Sequence, residues 1–267
     1  MKLNIMTYNI ASGRCYAVDE KVTPDGGAET RLDACAEVIR EISPDLCGLN
    51  EINHYLPGYV EKMGHFQNVA DQTGYLAQFS GLNHGYFGKA IFFEGRGSYG
   101  NAVISKYPIL EAESIPVPDP EIFDENAYYE TRGITKVKLD IAGGITVLQI
   151  HVGLAIAEKQ NAVVELCRVI DNTDGPVILM GDFNMCPNNF LLDRIRSRLT
   201  EVTPEGEGYV HTYPSWPHDC GIPKNIRMHP YCKIDYIFVS DHFKPLGCRV
   251  IKSRASDHMP MIAELEI

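Results

Sequence analysis

The chain has 267 residues, 45% of them hydrophobic, and a formal net charge of −11 at pH 7. That apolar fraction can fill a core, which excludes a disordered chain, and the length fits one large β-rich or α/β domain over residues 1–267. The acidic balance disfavours indiscriminate binding to a phosphate backbone, although a bound cation can reverse the sign locally.

Leu3 to Tyr8 alternates apolar and polar residues, as a half-buried strand does. Glu29 to Ile42 places Leu32, Cys35, Ala36, Ile39 and Ile42 on one helical face, and Ser43-Pro44 ends that helix. Asp45 to Asn50 is a short apolar strand. Val60 to Gly74 reads as a second helix stopped by its glycine. Ala90 to Phe93 and Asn101 to Ser105 are apolar runs joined by residues 94–100. Ile134 to Ile141 and Ile145 to His151 flank Gly143-Gly144, a hairpin signal. Ala155 to Asn172 reads as a third helix, and Val177 to Met180, Ile234 to Val239 and Pro260 to Glu266 as strands. Short strands outnumber helices, which predicts sheets packed on each other with helices outside. Tyr209 to Cys232, with the sole tryptophan Trp216, reads as a long functional loop.

The Met1 to Asn9 start lacks the apolar stretch of a secretion signal, and no run reaches the roughly 18 apolar residues that span a bilayer. None of the eight cysteines forms a C-x-x-C pair, which argues against structural zinc. Free buried thiols in a reducing cytoplasm are expected, and with them a cytoplasmic, monomeric protein. Gly95, Gly97 and Gly100 spell G-x-G-x-x-G, but a strand follows them where a dinucleotide fold needs a helix.

Several strands end on polar residues: the first on Asn9, the second before Glu51, one on His151 and another before Asp182 and Asn184. Each alone is an ordinary turn residue. Together they are types that bind a hard cation or an anion, held at rigid strand ends. Asp235 sits inside the apolar run Ile234 to Val239, where a carboxylate needs a partner, and His258 is a candidate.

In order along the chain stand Thr7-Tyr8-Asn9, Gly48-Leu49-Asn50-Glu51, Tyr99-Gly100-Asn101-Ala102-Val103-Ile104-Ser105-Lys106-Tyr107-Pro108, Gly181-Asp182-Phe183-Asn184, Ile234-Asp235-Tyr236-Ile237 and Ser256-Asp257-His258-Met259-Pro260. This ordered set resembles the endonuclease/exonuclease/phosphatase (DNase I-like) superfamily from residue 7 to about 260. The resemblance implies an α/β fold of two mixed β-sheets packed as a sandwich flanked by helices. It implies Glu51 as the main Mg²⁺ or Mn²⁺ ligand, with Asn9 and Asp257 in the metal shell. Asp182 and Asn184 resemble the pair that orients water and holds a phosphate oxygen. His258 with Asp235 resembles the general base or proton shuttle, His151 the second, charge-stabilising histidine, and Arg132 a phosphate contact. Asn50 stands where relatives commonly carry Gln. Such a set suits phosphate-ester hydrolysis, which needs an activated water, an in-line attack and neutralised phosphoryl oxygens.

The charge and the absence of a basic arm point to a phosphorylated small-molecule or headgroup substrate. A nuclease would rest on Lys224, Arg227, Lys233, Lys252 and Arg254, and a lipid phosphodiesterase on an exposed aromatic loop around Trp216. A dead binding module is disfavoured by the full catalytic set.

Overall fold

A computed structural model describes residues 1–15, 29–60, 69–205, 210–215 and 231–267. One six-stranded sheet runs in the order β13 (Lys244–Val250), β14 (Met261–Glu266), β1 (Lys2–Asn9), β4 (Leu46–Tyr55), β6 (Gly97–Ser105), β5 (His84–Phe93). The other runs β11 (Thr200–Glu201), β12 (Asp235–Val239), β10 (Val177–Asp182), β9 (Ile145–His151), β8 (Gly133–Leu139), β7 (Ile109–Pro116). A short ribbon pairs β2 (Arg14–Cys15) with β3 (Glu29–Thr30). Both large sheets are mixed: β1 lies parallel to β4 and β9 parallel to β10, and their other neighbours are antiparallel.

The sheets face each other across Leu3, Ile5, Leu46 and Val103 on one side and Val147, Ile178, Met180 and Ile237 on the other. Alternation sends the neighbouring residues outward, where helices cover them. Met6, Tyr8 and Leu49 pack with Leu32, Cys35 and Ile39 of α1 (Leu32–Ile42) and with Leu76 and Ala77 of α3 (Gln72–Ser80); the single turn α2 (Pro57–Val60) buries no residue. Leu148, Ile150 and Leu179 pack against Ala162, Val163 and Leu166 of α4 (Ile156–Asp171) and Ile195 of α5 (Leu192–Arg196). Central strands are therefore apolar on both faces, which is why they read as continuous runs. Each fully buried Leu or Ile side chain in these layers contributes about 1.5–3 kcal/mol.

The second helix differs from the expectation. Residues 61–68 lie outside the described residues, and Gly74 does not end a helix but sits in the first turn of one. Asp71 caps that helix by accepting from the Gly74 amide at 2.9 Å, and the chain leaves it at Gly81, in left-handed backbone. The cap in D-x-x-G outweighs the glycine's poor helix propensity. The 94–100 connection is a hairpin turn with Gly97 and Gly100 inside β6, so the glycine pattern opens no helix. Among the described residues no helix is long and apolar enough to cross a membrane.

Gly181 sits where two parallel strands leave no room for a side chain. Its φ is +143°, and a Cβ there would lie 1.9 Å from the Ile150 carbonyl oxygen of the parallel neighbour. Backbone cannot step aside as a side chain can, so Gly181→Ala should lower unfolding free energy by about 3 kcal/mol or more in urea titration.

Candidate active site

Strand register assembles the polar ends into two rows. Parallel pairing sets Asn9 beside Asn50, and across the second sheet His151, Asp182 and Asp235 stand side by side on β9, β10 and β12. Glu51 follows in a bulge where β4 and β6 slip register between Leu49 and Ile52. Its φ is 60° and that of Asn184 is 50°. Left-handed backbone at a non-glycine residue costs about 1–3 kcal/mol and persists where the surroundings over-determine it. Here it turns both side chains toward the same space.

Asp182 is the centre of that space, 1% exposed. Its Oδ2 accepts from Asn9 Nδ2 at 3.1 Å and lies 3.4 Å from His151 Nε2 and 3.6 Å from His258 Nε2. Its Oδ1 accepts from the Asn184 amide at 2.8 Å. Burial lifts the Asp182 carboxyl to about 7, the His258 charge pulls it back and Asp235 pushes it up. Beneath it, fully buried Asn50 accepts from the Asp182 amide at 3.0 Å and from Gln149 Nε2 at 2.9 Å. Asn50 Nδ2 donates to Asn101 Oδ1 and to the Ile150 carbonyl, both at 2.8 Å. The Asn that replaces the expected Gln is thus a fully satisfied strut between the two sheets. Gln149, a polar residue within an apolar strand, is the signal in the sequence that could have pointed to it.

Asp235 Oδ2 is 2.9 Å from His258 Nδ1. The Asp235 amide and that of Ile234 donate to Thr212 Oγ1, and the Tyr213 ring packs on the imidazole with centroids 4.9 Å apart. Burial alone would lower the His258 pKa, but Asp235 and then Asp182 raise it to about 10. Asp182, Asp235 and His258 bring ligand atoms within 4.8 Å of one another. His258 spends Nδ1 on Asp235, so we read this group as proton-carrying.

The metal seat fits better at Glu51. Asn9 Nδ2 donates to Glu51 Oε1 at 3.2 Å, and Arg14, which sequence reasoning missed, reaches Oε2 at 3.4 Å. Burial and then the Asp257 charge raise the Glu51 carboxyl, which Arg14 draws down. Asp257 is tied by Ser256 Oγ at 3.2 Å, and the same hydroxyl donates to the Asn9 carbonyl at 2.8 Å. A buried carboxylate raised by a second one, Asp257, could hold a hard divalent cation, while Asn9 turns its Nδ2 toward Glu51 and spends its Oδ1 on the Ala11 amide.

Arg132 does not line the open space. It is 6% exposed, with one guanidinium nitrogen 3.0 Å from His151 Nδ1 and 3.2 Å from Glu130 Oε1. His151 is held well below the ordinary histidine range, first by burial and then by Arg132. Asn184 Nδ2 donates to the Val152 carbonyl at 2.9 Å beside His151 Nε2.

Two expectations change. The thiols are not all reduced: Cys186 and Cys232 form a disulfide, while Cys35, Cys47, Cys167 and Cys248 are buried thiols outside any disulfide. The pairing Tyr213↔Cys232 carries Cys232 to the segment just after Asn184, a contact that 46 residues of separation conceal. Lys233 is no nucleic-acid contact either: it is 5% exposed, with Nζ 2.8 Å from Glu201 and 3.3 Å over the Tyr236 ring. Trp216, Lys224 and Arg227 lie outside the described residues.

The sequence profile described as Endonuclease/Exonuclease/phosphatase family matches residues 6–258. The chain is 26% identical over 250 residues to the uncharacterized protein YbhP of Escherichia coli K12, covering 88% of each. Among solved structures, an endonuclease/exonuclease/phosphatase from Beutenbergia cavernae superposes with TM-score 0.73 at 24% identity, over 100% of this chain and 72% of that one. A Bacteroides thetaiotaomicron mannosyl-6-phosphatase gives 0.68 at 15%, over 99% and 100%. D. rerio TDP2 with a single-strand DNA product gives 0.67 at 16%, over 100% and 99%.

Proposed function

We propose that this chain, which belongs to the endonuclease/exonuclease/phosphatase family, is a Mg²⁺- or Mn²⁺-dependent hydrolase of a phosphomonoester or phosphodiester of a small molecule or headgroup. The observation that carries the reading is Asp182, a buried carboxylate set between two histidines and joined through Asn9 to Glu51. A divalent cation at Glu51, with Asn9 and Asp257 around it, would supply Lewis-acid charge to the phosphoryl oxygens.

The chain's own residues do the rest. At neutral pH His258 holds a proton that Asp235 stabilises, while Asp182, with a carboxyl near 7, is poised to take one from water. In this reading Asp182 is the base and His258 returns a proton to the leaving oxygen. In this reading Asn184 and His151 supply hydrogen-bond donors to the phosphoryl oxygens.

The fold serves both a sugar phosphatase and a DNA-processing protein, so it does not choose the substrate. Charge favours the small ester. Asp119, Glu121, Asp124 and Glu125 all lie on the exposed part of the 117–132 segment that leads to Arg132, and they repel a polyanion. We read the protein as acting as a monomer. A panel of p-nitrophenyl phosphate, bis(p-nitrophenyl) phosphate, sugar phosphates, sphingomyelin vesicles, DNA and RNA, each with Mg²⁺, tests this. A small ester should exceed nucleic acid in kcat/KM by at least about tenfold. Preferential cleavage of DNA or RNA would overturn the substrate assignment.

A further inference from the structure

The two site histidines are wired oppositely. His258 Nδ1 faces a carboxylate, Asp235 at 2.9 Å, the arrangement that favours an imidazolium. His151 Nδ1 faces an arginine, Arg132 at 3.0 Å. A guanidinium carries only N–H donors, so Nδ1 of His151 has to be the acceptor and its single ring proton has to sit on Nε2. Nε2 points at Asp182 Oδ2, 3.4 Å away, an acceptor for that proton. Asn184 Nδ2 lies 3.2 Å from the same nitrogen and gives one of its two hydrogens to the Val152 carbonyl; an amide nitrogen accepts no proton, which leaves Asp182 Oδ2 as the acceptor.

Arg132 is fixed for this purpose. It is 6% exposed and ion-paired to Glu130 at 3.2 Å. Glu130 is held in turn through its amide, which donates to buried Glu158 Oε1 at 2.9 Å, and Glu158 Oε2 accepts from the Ala155 amide at 3.0 Å. One carboxylate therefore locks both the segment that carries Arg132 and the loop that follows His151. The charged groups facing His151 are Arg132 from the start of β8, Asp182 from β10 and His258 from the 256–260 turn, with Glu130 behind Arg132.

We infer that Arg132 is a positioning residue that locks His151 as the neutral Nε2–H tautomer, so that His151 serves the reaction as a fixed hydrogen-bond donor to a phosphoryl oxygen and not as a proton-transferring acid. Only one of the two histidines then moves protons. The inference deepens the phosphoesterase reading at the same site, and its first test does not depend on turnover.

Ring nitrogen–carbon correlation NMR on the full chain with ¹⁵N-histidine, with and without Mg²⁺, reads the tautomer directly. His151 is assigned by the signal lost in His151→Gln. The wild type should show one neutral Nε2–H pattern across about pH 5 to pH 8. Arg132→Met should release the ring to mixed tautomers and an ordinary histidine titration, and Arg132→Lys, which keeps a donor in the same place, should restore the locked pattern. A wild-type ring that is an Nδ1–H tautomer, or that becomes imidazolium in that window with Arg132 present, overturns the inference whether or not any substrate is cleaved. Should Arg132→Met not fold, the wild-type spectrum alone decides. Turnover supplies a second arm: His151→Gln keeps an N–H donor and should retain at least about tenfold more kcat than His151→Ala, a gap of one order within the range for such groups. Equal loss in both variants would show that the lost function is proton transfer.

Discussion

His258→Ala should lower kcat by about 10²- to 10⁴-fold, the range for a positioned proton-transfer group, with the far-UV circular dichroism unchanged. The size follows from its neighbours. Among the described residues, His258 is the one imidazole backed by buried Asp235 and also within reach of Asp182, 3.6 Å away. Deleting it removes both the leaving-group acid and the charge that keeps Asp182 from rising further. Stability should fall as well, by about 3 kcal/mol, because Asp235 is left 1% exposed with a missing partner. The pH dependence has a definite sign. The folded His258 pKa, about 10, lies above its unfolded value of roughly 6.5. Its contribution is fully present below the unfolded value and fades as pH rises toward 10. The gap in stability between wild type and His258→Ala should therefore be widest at about pH 6, below the unfolded value, and shrink steadily in urea titrations as pH rises. A near-normal rate in the variant would remove His258 from the mechanism.

Glu51→Gln should cost about 10³-fold or more in kcat/KM, several kcal/mol of barrier, while making the metal-free protein slightly more stable at neutral pH. The two effects have one cause. Burial and Asp257 raise the Glu51 carboxyl in the folded chain, so its stabilising, protonated form prevails at low pH and that stability is lost as pH rises through the folded pKa. Neutral glutamine removes the repulsion. It also removes the carboxylate a hard cation needs, so Mg²⁺ should raise the unfolding temperature of the wild type and leave that of Glu51→Gln where it is. Differential scanning calorimetry with and without Mg²⁺ reads both. Equal Mg²⁺ stabilisation of the two proteins would move the metal seat away from Glu51.

The sequence reveals most of the strand ends because the inner strands are apolar on both faces and stop abruptly at polar residues. Asp182 after Val177 to Met180, and Asp235 inside Ile234 to Val239, are conspicuous for that reason. Edge strands give no such contrast. β7 is exposed along almost its whole length and β13 for about half, so neither carries an apolar period to read. At the site, residue types announced themselves but directions did not. Nothing in Thr131-Arg132-Gly133 says whether the guanidinium points at substrate or at His151; the neighbouring strand register decides it. The role of Asn50 is hidden because its four hydrogen bonds come from residues 51 to 132 positions away. The Cys186–Cys232 pair is hidden for the same reason. Long-range pairing, absent from local pattern, makes each of these.

The most direct test of a cation-dependent site built on Glu51 and Asp182 is the rate of hydrolysis of p-nitrophenyl phosphate and bis(p-nitrophenyl) phosphate by chelator-stripped protein as Mg²⁺ or Mn²⁺ is returned. The rate should be negligible without metal and rise saturably to a plateau with either ion on at least one of the two esters. Full hydrolysis of either ester in excess chelator, by protein shown to be metal-free, would contradict the assignment.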